Sequence, residues 1–150
     1  MGRATCLSPM EIERVLRGCG VQPTAQRIAI GRYVLCDADH PTAEQVKAWV
    51  DKNFPKISLA TVYNTLKVFV SAGLLKELRL PDRDAIVFDS NMQPHHHFLD
   101  AKSGAVYDLP LESVQLTVAL GREYCVHSAT AVVIGTRGTI DSFKEPGCDS

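Results

Sequence analysis

Four helix-start signatures fall within the first sixty residues, and together they constrain this chain more than any other feature. Ser8-Pro9-Met10-Glu11 offers an N-cap serine, proline at the first helical position and glutamate at the third, followed by Ile12, Val15, Leu16 and Cys19 at helical spacing. Gly18 and Gly20 close that helix. Thr24 caps a second, which is expected to run to about Asp37 with Ile28, Val34 and Leu35 inward and Arg27 and Arg32 outward. After the corner His40-Pro41, Thr42-Ala43-Glu44-Gln45 is a capping box opening a third helix with Val46, Trp49, Val50 and Phe54, closed by Pro55. Ser58 caps a fourth, whose buried stripe is expected to be Leu59, Val62, Leu66, Phe69 and Val70, stopped by Gly73. Its opposite face gathers Ala60, Tyr63, Asn64 and Lys67: a small residue, an amphipathic ring, an amide and a cation.

The period then changes from helical to alternating. Residues 74–80 and 85–89 read as strands around the turn Pro81-Asp82-Arg83-Asp84, so four helices followed by a hairpin suggest a winged helix. Strands over His95 to Asp100 and Ala105 to Leu109 flank the loop Ala101-Lys102-Ser103-Gly104. A helix from about Leu111 to Arg122 and a strand from Val126 to Thr136 are expected to follow. The fold class is therefore α+β: a winged-helix domain over 1–89, a hinge over 90–94, a small α+β dimerisation domain over 95–137 and a loose tail over 138–150. So small a sheet leaves an edge and an apolar face that a second copy would cover.

Charge is uneven along the chain. Residues 1–88 hold twelve Lys or Arg against nine Asp or Glu, a net +3, and residues 89–150 hold four against eight, a net −4. The five cysteines are scattered, odd in number and without a C-x-x-C pair, which suits reduced thiols better than a disulfide framework. No apolar run of membrane-spanning length and no secretory leader is visible, so a cytoplasmic protein without membrane contact is expected.

The chemistry gathers around three consecutive histidines. His95 and His97 share one face of a strand, and His96 the other. If residues 101–104 form the loop, each residue i faces residue 205 − i, which sets Asp108 across from His97. Asp89 can return to the same neighbourhood across Ser90 to Pro94. A nitrogen and oxygen set without thiolate suits divalent iron, manganese or zinc, and five- or six-fold coordination would favour the first two. A solvated histidine run is the bland alternative, and His40 alone reads as a helix-corner residue.

These residues resemble the ferric uptake regulator (Fur) family from about Val21 to Gly135. The resemblance is carried by Pro23-Thr24-Ala25-Gln26-Arg27, His40-Pro41-Thr42-Ala43-Glu44, Ser58-Leu59-Ala60-Thr61-Val62-Tyr63-Asn64-Thr65-Leu66 and Gly73-Leu74. It implies a metal-dependent repressor that binds AT-rich inverted repeats in double-stranded DNA as a homodimer. It also implies that His40, Asp89, His95, His97 and Asp108 are the regulatory ligands, with the fourth helix as reader. Tyr63 and Asn64 would then face bases or sugars, Ala60 and Thr61 thymine methyls or backbone, and Arg14, Arg17, Arg27 and Lys67 phosphates, while Arg83 in the wing reaches a minor groove.

Iron-sensing members often carry Glu at the two carboxylate positions and the peroxide-sensing branch Asp, and here both are Asp. In that branch ferrous iron and peroxide oxidise a ligating imidazole, which points to His40 and His95; Fe(2+) or Mn(2+) would be the working metal, with Zn(2+) taken up in preparation. The chain also departs from the family. The first C-x-x-C of its structural zinc falls on Asp100 and Ser103 and no second pair follows Gly135, so no structural zinc held by four cysteines is expected. Zinc-free members include haem-responsive Irr-like regulators. No cysteine here precedes proline, which disfavours haem, although the histidine run keeps it open. A second metal set would draw on His96, Glu112 or Gln115, and His127. In another functional class, two histidines and a carboxylate can make the facial site of a non-haem iron metalloenzyme, but catalysis would not account for the fourth helix.

Overall fold

A computed structural model describes residues 6–54, 56–81 and 84–138, and the chain divides into two compact units between Met92 and Gln93. Unit one holds α1 (Pro9–Gly18), α2 (Ala25–Arg32), a π turn (Tyr33–Asp37), α3 (Ala43–Asn53), α4 (Leu59–Ser71) and a hairpin of β1 (Lys76–Arg79) and β2 (Ile86–Asp89). All four caps form as the sequence predicts. The Ser8 hydroxyl accepts from the Glu11 N–H at 3.3 Å while the Glu11 carboxylate accepts from the Ser8 N–H at 2.7 Å, and Thr42 and Gln45 exchange the same pair of bonds at 3.1 and 2.9 Å. Thr24 accepts from the Arg27 N–H and Ser58 from the Thr61 N–H.

One core joins these elements. Ile12, Leu16, Ile30, Val34, Val46, Val50, Val62, Leu66 and Phe69 are all buried, and Gly31 lets α2 approach so closely that a Cβ there would meet Ile12 Cγ2 at 3.2 Å. Tyr33 stacks on Trp49 with centroids 4.5 Å apart. Two expected core members are not in it. Leu59, at the first position of α4, is 39% exposed, because the stripe begins one turn later and takes in Thr65. Phe54 is 45% exposed, since it leaves the helix as the C-cap of α3. The second helix also ends early: after Arg32 the backbone widens, with the Ala38 N–H bonding the Tyr33 carbonyl at 2.8 Å.

Unit two is a three-stranded sheet in the order β4-β3-β5, from β3 (His96–Asp100), β4 (Val106–Leu109) and β5 (Val132–Gly135). β3 and β4 are antiparallel in the expected register, His97 opposite Asp108, and β5 runs parallel to β3. Asp100 fastens the connecting turn by accepting from the Lys102 N–H at 3.0 Å and the Ser103 hydroxyl at 2.7 Å. The helix expected over 111–122 is reduced to one 3-10 turn, Leu111–Ser113, and the strand expected over 126–136 to its last part. From Val114, at φ −133°, the apolar residues Val114, Leu116, Val118 and Leu120 alternate instead of recurring at helical spacing. The β-branched Val114, Thr117 and Val118 further disfavour a helix, which would need a packed face to persist. Leu116, Val118, Leu120 and Val126 are about half exposed.

Candidate metal centre and DNA-reading face

In unit one the corner after the π turn carries His40 at φ 44°, a left-handed backbone that costs a non-glycine residue about 1 kcal/mol or more. It stands before Pro41, where sterics already favour extended geometry. The Phe88 N–H donates to the Pro41 carbonyl at 2.9 Å, drawing the end of β2 against this corner. As a result His40 Nε2 lies 3.6 Å from Asp89 Oδ2, with both side chains buried. Asp39 Oδ1 accepts from His40 Nδ1 at 2.6 Å and Asp89 Oδ1 from the Asn91 N–H at 2.8 Å. With its proton on Nδ1, His40 turns the Nε2 lone pair toward a carboxylate, an electron-rich pairing that suits a cation.

Unit two repeats this logic on a strand. His95 Nδ1 donates to the Gln93 carbonyl at 2.6 Å, which fixes its tautomer and leaves Nε2 as the acceptor nitrogen. That Nε2 lies 2.9 Å from His97 Nε2 and 3.2 Å from Asp108 Oδ1, and His97 Nε2 is 3.7 Å from the same oxygen. The rings meet edge to face, their centroids 4.5 Å apart. Three ligating atoms thus converge on one point. The donors in both units are imidazole nitrogen and carboxylate oxygen, a set that fits divalent iron, manganese or zinc.

The second metal set is not assembled. His96 is buried and its Nδ1 accepts from the Ala131 N–H at 3.0 Å, so the sheet engages it. Glu112, Gln115 and His127 are exposed, and among the described residues His96, Glu112 and His127 form no donor cluster. Where the family resemblance would place the first zinc-binding C-x-x-C pair, Asp100 and Ser103 close the turn by their own hydrogen bond.

On α4, Ala60, Tyr63, Asn64 and Lys67 are exposed along one face, with Thr61 half-buried beside them. The Tyr63 hydroxyl donates to Glu44 Oε1 at 2.6 Å. This bond raises the Tyr63 pKa and lowers that of Glu44. Arg17 pairs with Glu13 at 2.9 Å, Arg27 donates to the Gln22 carbonyl at 3.0 Å, and Arg14 is exposed. Arg83 and the residues from 139 onward lie outside the described residues. Sequence reasoning did not find Asp39 or Glu44. Asp39 adjoins His40 and could have been suspected, whereas Glu44 meets Tyr63 only because α3 packs on α4.

Comparison with known proteins agrees with this chemistry. The profile of the Ferric uptake regulator family matches residues 19–128. The chain is 42% identical over 132 residues to the peroxide-responsive repressor PerR of Staphylococcus epidermidis (strain ATCC 12228 / FDA PCI 1200), covering 88% of this chain and 87% of the relative. A solved zinc-bound manganese uptake regulator is 26% identical, with a TM-score of 0.67 over 84% of this chain and 98% of that one. The ferric uptake regulator of Pseudomonas aeruginosa, solved with manganese, shares the fold at 24% identity, with a TM-score of 0.64 over 83% of this chain and 96% of that one. The chain therefore belongs to the Ferric uptake regulator family and is a metal-dependent DNA-binding transcriptional regulator, not an enzyme.

Proposed function

We propose that this regulator is a peroxide-responsive repressor whose DNA-competent form is held by one Fe(2+) or Mn(2+) ion, with His40 and Asp89 from the first unit and His95, His97 and Asp108 from the second as its ligands. The observation that carries this reading is the convergence of the His95 and His97 Nε2 atoms on the Asp108 carboxylate. Two donors in one unit and three in the other each make an incomplete shell, and together they approach the higher coordination of iron or manganese. An ion bound best when both sets face it shifts the population toward that arrangement across the proposed hinge, residues 90–94. Zinc can occupy such a set in preparation.

The name of the Staphylococcus epidermidis relative and the aspartate at both carboxylate positions support peroxide as the signal. Iron, when bound, supplies the one-electron chemistry that activates peroxide. The chain's part is to hold His40 and His95 beside that centre, where oxidation of either imidazole removes a donor.

DNA recognition is assigned to the outer face of α4, with Tyr63 and Asn64 toward bases, Ala60 and Thr61 toward methyls and backbone, and Arg14, Arg17, Arg27, Lys67 and Arg83 toward phosphates or the minor groove. The target is an AT-rich inverted repeat, matched by a homodimer in the cytoplasm. Support for dimerisation comes from unit two, where Val118, Leu120, Val126 and Ile134 stand exposed beside a sheet of three short strands.

The test is DNA binding by the purified chain as apoprotein, with manganese and with ferrous iron, before and after brief peroxide. Metal-dependent binding that survives peroxide with manganese and collapses with iron is expected. Binding that ignores metal, or that only haem abolishes, would overturn the reading in favour of an Irr-like regulator.

A further inference from the structure

Away from the metal donors, two cysteines far apart in sequence are brought to one place. Cys36 sits in the π turn, and its sulfur accepts from the Leu7 N–H at 3.2 Å. That amide is bonded directly to Cys6, which puts the Cys36 sulfur no more than about 6 Å from Cys6 Cα by ordinary backbone dimensions. The Cys6 sulfur in turn approaches Asp37 Oδ1 at 3.9 Å, so it leans over the same turn. A disulfide links Cα atoms about 4.4 to 6.8 Å apart, and a Cys36 sulfur this near the Cys6 Cα keeps the two Cα atoms within about 9 Å, a gap that side-chain rotation and a small shift of the segment ahead of α1 would close. Both sulfurs are thiols, Cys6 exposed and Cys36 half-buried.

We propose that Cys6 and Cys36 are a redox pair that a peroxide converts to an intramolecular disulfide, fastening the segment before α1 to the π turn that leads into the His40 corner. Exposure makes Cys6 the attacking sulfur. Its thiolate takes one oxygen from the peroxide, the O–O bond breaks, and hydrogen peroxide leaves water and a Cys6 sulfenic acid. The Cys36 sulfur then attacks the Cys6 sulfur, the S–O bond breaks, and the departing oxygen leaves as a second water with the Cys36 proton. Two thiols and one peroxide thus give one disulfide and two waters. Cys36 suits the second role: burial, its largest perturbation, pushes its pKa up, and proximity to Cys6 adds to this, which makes it a poor first nucleophile.

The pair is independent of the metal centre and can be tested without it. The full chain, reduced and then held in excess chelator, is treated with hydrogen peroxide or diamide at low protein concentration and mapped by mass spectrometry without reductant. A single species that has lost two hydrogens and yields a crosslinked Cys6–Cys36 peptide is expected, at a rate independent of protein concentration. Cys6→Ser should abolish the crosslink, and Cys125→Ser should leave it intact. Because Cys36→Ser could disturb folding, the judgement rests on Cys6→Ser, which alters an exposed position ahead of the first helix. A Cys6-to-Cys6 dimer, a crosslink to Cys19, Cys125 or Cys148 in its place, or oxidation of Cys6 with Cys36 still a thiol would overturn the proposal. Because chelator removes metal chemistry, failure here leaves the metal reading untouched, and failure of metal-dependent DNA binding leaves this one.

Discussion

The two units bury different things. In the first, the closed interior is aliphatic and aromatic, and Phe69, Ile12, Leu16, Ile30 and Leu66 are wholly out of water. In the second, Leu99 and Val106 are the buried apolar residues among the described ones, while His95, His96, His97 and Asp100 are buried with them. Leu116, Val118, Leu120 and Val126, outside the strands, are about half exposed. Burying polar groups is favourable only when they are paired, so the second unit gains little from burial alone. The first unit carries an apolar core of its own; in the proposed reading, a metal and a further copy of the chain complete the second.

The strongest way to break this comparison is to hollow out the first core. Phe69→Ala should cost about 3–5 kcal/mol, seen as a large fall in the melting temperature with loss of DNA binding. An unchanged melt would mean that the aromatic core is not what holds the unit. His97→Ala should weaken metal binding by about a hundredfold, roughly 2.7 kcal/mol, while amide protection across α1 to α4 persists. If protection in the helices falls equally, the two units are not energetically separable.

Asp39→Asn sharpens the picture of the first half-set. It keeps the shape but weakens the grip on His40 Nδ1–H, so metal affinity should drop about tenfold and the 15N shifts of His40 should report a changed tautomer. A drop in affinity without that spectroscopic change would make Asp39 merely structural. Gly73, at φ 76° after α4, should cost about 1 kcal/mol on replacement by alanine, measured by urea denaturation.

The smallest effect is on pH. Hydrogen bonds from the Ser8 backbone and hydroxyl lower the pKa of Glu11, and those from the Ser103 hydroxyl and the Lys102 N–H lower that of Asp100. A carboxyl depressed in the folded state stabilises it above the unfolded pKa, and that contribution disappears as pH falls through the folded value. Glu11→Gln and Asp100→Asn should therefore each flatten the acid limb of stability, the first in the helical unit and the second in the sheet. Denaturation from neutral pH down past the ordinary carboxylate range, about pH 4, reads the difference.

Much of this was legible in the sequence because it depends on neighbours a few residues apart. Caps are set by residues i and i+3, and a four-residue loop determines that His97 faces Asp108. The same locality misled over residues 111–122, where an apparent amphipathic helix competes with an alternating pattern. Local spacing cannot say which pattern finds a surface to pack on.

By itself, then, the sequence determined the four helix starts, the winged hairpin, the donor types and the pairing of β3 with β4. The tertiary structure decided that His40 takes a left-handed corner, that a bond from Phe88 to Pro41 brings Asp89 to it, that Glu44 holds Tyr63, and that the Leu7 N–H beside Cys6 reaches the Cys36 sulfur. These contacts join segments 19 to 49 residues apart. Their partners are chosen by how whole elements pack, a collective outcome that no short stretch of chain encodes.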